Sequence, residues 1–180
     1  MMRNFRPILL CFTILSLGGC QLWSIADSAV GKSVARVGLG PNKVSSVGVM
    51  AELSNNPTAV MVDIAFAYGD AAGAVLTQST AVTWFAEYEG FCGNYSNQLD
   101  VVRLEVPMGY SALLSDLPKE HLLAQSIFVF VRDVGKGDVT AVETPWVNVA
   151  QGKLKILQAP PGSKTSGNTV DAVKGARTLC

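Results

Sequence analysis

The chain has 180 residues, 14 Lys and Arg against 14 Asp and Glu, a formal net charge of 0 and a hydrophobic content of 49%. Balanced charge without a basic stripe argues against nucleic acid as a partner. A single histidine and four cysteines leave little from which to build a zinc centre.

At the N-terminus Arg3 and Arg6 precede Pro7 to Leu17, a nearly unbroken apolar run of about a dozen residues. That is the length of a signal-peptide core and too short to span a bilayer comfortably. The run ends in Leu17-Gly18-Gly19-Cys20, which resembles the lipobox of bacterial lipoprotein precursors. The resemblance implies that residues 1–19 are a secretory signal and that Cys20 becomes the lipid-bearing first residue. Two or three acyl chains on Cys20 would hold the protein to a membrane, at about 0.8 kcal/mol per buried methylene. Gln21 stands where inner-membrane lipoproteins often carry Asp, so the expected address is the inner leaflet of the outer membrane. The remaining chain of about 160 residues has the size of one domain with a real core. Cys11 leaves with the signal and Cys20 is acylated. In an oxidising compartment the remaining pair, Cys92 and Cys180, is expected to form a disulfide. It closes a loop of roughly 90 residues and contributes about 4 kcal/mol on the chain-entropy model.

Residues 20–45 read as a tether, with 21–37 able to form a short amphipathic helix. Val47–Leu53 reads as a first strand and Ser54-Asn55-Asn56-Pro57-Thr58 as a turn. Residues 59–68 alternate clearly. Val60, Val62, Ile64, Phe66 and Tyr68 share one face; Ala59, Met61, Asp63, Ala65 and Ala67 form a second, small and nearly apolar face. Asp70 can N-cap a helix over 71–77, and Ser79 or Thr80 a second helical stretch to about Phe91. There Trp84, Tyr88 and Phe91 make a core-facing stripe, ended by Gly90 and Gly93.

Leu99–Val106 alternates again, and Pro107-Met108-Gly109 turns the chain. Ser111–Leu117 reads as a helical turn before Pro118. Ser126–Val134 is apolar on both faces, as in a central strand. Gly135-Lys136-Gly137-Asp138 reads as a hairpin-type turn. Val139–Glu143, Trp146–Ala150 and Lys153–Leu157 read as short strands. From 159 to 180 the composition predicts a weakly ordered tail. The sum is a mainly β chain: a two-sheet β-sandwich over 46–158 with a small helical insertion.

Candidate chemistry is sparse. His121, the only histidine, lies at the polar start of a helical turn and has no triad partners at hand. Gly31-Lys32-Ser33 lacks the earlier glycine and the preceding strand of a phosphate-binding loop. Glu87 and Glu89, two apart on a helix, point different ways. Asp63, Arg132 and Asp133 sit in or at the end of hydrophobic strands, where an Arg132–carboxylate pair would be structural. Asn94-Tyr95-Ser96 is a glycosylation sequon by pattern that reads as a turn. Neither an enzyme nor a cofactor is expected.

The order of lipobox, tether, first strand, polar turn and Pro57-Thr58-Ala59-Val60-Met61-Val62-Asp63-Ile64-Ala65-Phe66-Ala67-Tyr68 is followed by Pro107-Met108-Gly109. Ile127-Phe128-Val129-Phe130-Val131-Arg132-Asp133 comes after it. Together these resemble the outer-membrane lipoprotein of type VI secretion systems, the TssJ family, over roughly residues 46–158. The resemblance implies a transthyretin-like sandwich and a scaffold that binds the periplasmic domain of TssM, an inner-membrane protein. It implies contact through the loop between the first two strands, here Ser54, Asn55, Asn56, Pro57 and Thr58. The chain departs from the family in its shorter loop, in Thr80–Cys92 and in the Cys92/Cys180 pair. The alternative is a generic periplasmic lipoprotein that binds a small molecule or cell-wall component in a pocket lined by Trp84, Tyr88 and Tyr95.

Overall fold

The computed structural model describes residues 40–53, 58–160, 169–170 and 177–180. The segment 1–19 with its Cys20, most of the tether, and Ser54, Asn55, Asn56 and Pro57 lie outside the described residues. The strands in chain order are β1 (Val47–Ala51), β2 (Ala59–Ala67), β3 (Leu99–Pro107), β4 (Ser111–Leu114) and β5 (Ser126–Val131). They continue with β6 (Gly135–Asp138), β7 (Trp146–Ala150), β8 (Lys153–Leu157), β9 (Thr169–Val170) and β10 (Arg177–Thr178). Two helices, α1 (Asp70–Gln78) and α2 (Ala81–Asn94), fall between β2 and β3. The strands form two sheets, β8-β7-β1-β4-β9 and β10-β3-β2-β5-β6. The protein is thus mainly β, a two-sheet sandwich with a small helical insertion, as the alternation predicts.

The two-residue period fills the space between the sheets. Val47, Val49 and Ala51 of β1 meet Val62, Ile64 and Phe66 of β2 and Ile127, Val129 and Val131 of β5 in one buried core. The opposite face of β2 and β5 is also covered, because the helices lie on it. Ala65, Ala67, Phe128 and Phe130 pack there with Leu76 and Trp84. The small side chains on that face of β2 leave room for the helices, and the double burial of β5 explains its unbroken apolar run. Gly48 serves the outer face of the other sheet: a Cβ there would overlap the Trp146 ring, so glycine lets the indole lie across β1.

Several elements differ from the sequence expectation. Ser111–Leu114 is a strand, not a helical turn: Gly109, at φ 84, reverses the chain and aims it antiparallel along β1. Gly135–Asp138 is an edge strand paired with β5, and the turn lies one step earlier, through Asp133 at φ 60. Gly137 is needed there because Ile156 and Leu154 of β8 occupy the place of a Cβ, 2.9 and 3.1 Å away. Val139–Glu143 forms no strand: after the Val139 N–H donates to Ile127 the chain turns, the Val142 N–H donating back to Val139. Asp70 is the first residue of α1 and makes no side-chain cap, whereas Thr80 caps α2, its Oγ1 accepting the Thr83 N–H at 3.1 Å. Within the segment expected to be a weakly ordered tail, 169–170 pairs in parallel with β4. Residues 177–178 pair antiparallel with β3.

The sandwich has two poles. One gathers the end of β1 (52–53), the start of β2 at Thr58, and the connections 108–110, 132–134 and 151–152. The other receives the chain at 40–46, where the Asn42 side-chain amide donates to the carbonyls of His121 (2.7 Å) and Ala124 (2.8 Å). Residues 40–46 and the end of β1 therefore lie at opposite ends of the domain.

Candidate functional site

The first pole is the candidate site. Its base is a clasp between the end of β1 and the β3–β4 turn: the Gly109 N–H donates to Ala51 at 2.7 Å and the Ala51 N–H to Tyr110 at 3.0 Å. A side chain on Gly109 would come within 2.8 Å of Leu53 as well as straining a left-handed backbone. Leu53 is 78% exposed and Tyr110 39% exposed, so this pole presents apolar surface to solvent. Thr58, the one described member of the expected contact loop, is exposed here.

Beside the clasp lies an open groove of about 320 Å³, lined by residues including Thr58, Met61, Met108, Arg132, Val149 and Gln151. Arg132 closes one side. Its backbone N–H donates to Met61 at 3.0 Å and its guanidinium lies 4.9 Å from the Phe85 ring centroid. Among the described residues it makes no ion pair. The expected Arg132–carboxylate pair is therefore corrected. The buried carboxylate, Asp63, pairs instead with Arg103, which the β2–β3 register sets directly opposite it.

Asp63 is fully buried beneath α2. It accepts the Arg103 Nε–H and an Arg103 Nη2–H, each at 2.7 Å, and the Trp84 indole N–H at 2.9 Å. The hydrogen bonds to Asp63 hold the Arg103 guanidinium above its usual range, against the opposing effect of burial. The guanidinium also lies 4.5 Å from the Tyr88 ring centroid. Trp84 stacks between Phe130 (4.6 Å) and Phe91 (5.5 Å) and is fully buried. It belongs to the core under the helix, and Tyr88 packs against the same core. At the end of α2, Cys92 faces Cys180 at disulfide distance, with 5.1 Å between their Cα atoms.

A smaller cleft of about 210 Å³ lies at the other end of β2, beside Tyr68, Asp100, Lys119 and Glu120. The Tyr68 hydroxyl donates to Asp100 at 2.6 Å. Burial, then that hydrogen bond, push its pKa well up. His121 is half-buried, its Nδ1 2.8 Å from the Pro118 carbonyl. Among the described residues no group of three or more His, Cys, Asp and Glu stands together as a metal site. None of the described helices is long and apolar enough to cross a membrane.

What the first pole offers chemically is recognition: exposed apolar side chains, main-chain edges and the Arg132 guanidinium around an open groove. Of the groups that build it, Met108 and Arg132 lie in stretches the sequence marks. Tyr110 carries no signal of its own and is found only through the fold. No family model, curated protein or solved structure matches the chain.

Proposed function

We propose that the protein is an outer-membrane-anchored scaffold lipoprotein of a type VI secretion membrane complex. In this reading acyl chains on Cys20 hold it to the outer membrane, and it binds the periplasmic domain of a TssM-like inner-membrane protein. The resemblance of its lipobox, Pro57-led strand and Arg132-Asp133 ending to the TssJ family is the origin of the reading. The observation that carries it furthest is the two-pole layout of the sandwich. The tethered segment comes in at one pole, and the end of β1 and the start of β2 stand at the other, with exposed Leu53, Thr58 and Tyr110. A chain anchored at the pole that receives residues 40–46 holds the candidate pole out toward the periplasm, where an inner-membrane partner would reach it.

The test is binding of the full chain, in mild detergent, to the periplasmic domain of the TssM-like protein from the same bacterium. The control replaces Asn55-Asn56-Pro57 with a Gly-Ser turn. Saturable binding that the control loses is the expected result. Absence of binding with both proteins folded would remove the type VI assignment.

A further inference from the structure

Strand β2 is longer than its neighbour β5. It pairs with β3 along its whole length, from Ala59 to Ala67, but with β5 only from Val62 to Ala67. One further bond follows, from the Arg132 N–H to the Met61 carbonyl at 3.0 Å, and β5's chain then leaves the sheet through Asp133. Along a strand, the backbone groups of alternate residues face the same neighbour. The Ala67 carbonyl accepts the Gln125 N–H, and the Met61 carbonyl that of Arg132, so the odd-numbered residues of β2 face the β5 side. Ala59 therefore turns its N–H and carbonyl, and Met61 its N–H, into the groove. Among the described residues none of these three groups has a partner.

We propose that this overhanging edge of β2 takes on an extended segment of a partner polypeptide as an added strand, with a carboxylate of that segment on Arg132. The proposal rests on the reading above that the chain recruits a partner at this pole. Main-chain bonds to a sheet edge, with a flanking pocket to read a side chain, are a general mode of peptide capture. The groove, at about 320 Å³, suits a few extended residues rather than a folded surface. It runs on directly from Thr58, the end of the expected contact loop. Charge selects the segment. The Arg132 guanidinium lies over the Phe85 ring and, among the described residues, has no carboxylate partner, so its N–H groups can take one from the segment. The exposed Asp133 next to it opposes a run of acids, so a single carboxylate fits best.

The experiment measures binding of the full chain, in mild detergent, to the periplasmic partner domain, together with amide exchange at Ala59 and Met61. In the free chain these two amides exchange fast. In the complex they slow by at least about tenfold. Arg132→Gln removes the charge and weakens binding roughly tenfold, in line with one charge-assisted bond. Ala59→Pro places a ring on the edge and deletes an N–H that has no partner in the described residues. It weakens binding similarly while leaving the melting temperature near that of the parent. Unaltered affinity in both variants, with binding still lost on replacing Asn55-Asn56-Pro57, overturns the edge proposal and leaves the scaffold reading intact. Failure of the parent chain to bind overturns both. Slow exchange at Ala59 and Met61 in the isolated chain places one of its own segments on the edge and overturns the proposal as well.

Discussion

Asp63 is the one fully buried carboxylate among the described residues, and three donors converge on it. Removing one partner of such a pair strands the other, at a cost of about 3–5 kcal/mol. Asp63→Asn is therefore expected to destabilise by about that much, read from the urea midpoint. Replacing both partners by apolar residues, as in Asp63→Val with Arg103→Leu, should recover only part of the loss. The Trp84 N–H would then be the unsatisfied group, worth about 1–3 kcal/mol. Full recovery would mean that the indole bond matters little. Tyr68 gives a pH dependence. Its pKa is raised in the fold, by burial first and then by the hydrogen bond to Asp100, while in the unfolded chain it titrates near about 10. Its contribution to stability is complete below that value and falls as pH rises above it, because the unfolded state gains by losing the proton. Tyr68→Phe should therefore flatten the alkaline limb of the stability profile. An unchanged limb would assign it to other groups.

At the scale of elements, α2 is the piece that ties the insertion to the sheet, with Trp84 inside and Cys92 at its end. Cys92 and Cys180 are 88 residues apart in sequence. A bridge across that loop is worth about 4–5 kcal/mol on the chain-entropy model. Peptide mass spectrometry without reductant should find the two cysteines linked, and reduction should lower the urea midpoint accordingly. Free thiols at both positions would contradict the pairing. The long strands were legible in the sequence because burial imposes alternation: β2, β3, β7 and β8 fall within a residue or two of the stretches read from pattern. β6 was not legible, since two glycines in four residues mark a turn locally and become a strand only because β8 needs the space. The partner of Asp63 was hidden for a related reason. Which arginine faces it depends on strand register, and a single sequence does not state register.

Across the whole molecule the sheets differ in how they are wired. The helix-covered sheet is built around β2, β3 and β5, successive antiparallel neighbours. The other is built around β1, the first strand, which waits for partners from far along the chain. Val49 lies opposite Ala112 on one side and, in parallel, opposite Val147 on the other. The two-sheet architecture follows from alternation and turn spacing; this crossover does not, because parallel pairing leaves no local mark.

The wiring sets an order of assembly. As the chain emerges N-terminus first, Val47–Ala51 comes out early as a short apolar strand with neither of its neighbours yet made. β2, β3, β5 and the helices can associate before it, through contacts closer in sequence. β1 can take its central place only after residue 149 has appeared, and long-range and parallel pairings of this kind are slow. Until then its edges are open to other chains. Folding of this protein is thus gated by the late arrival of β7, and the interval before it is when a holding chaperone has most to protect.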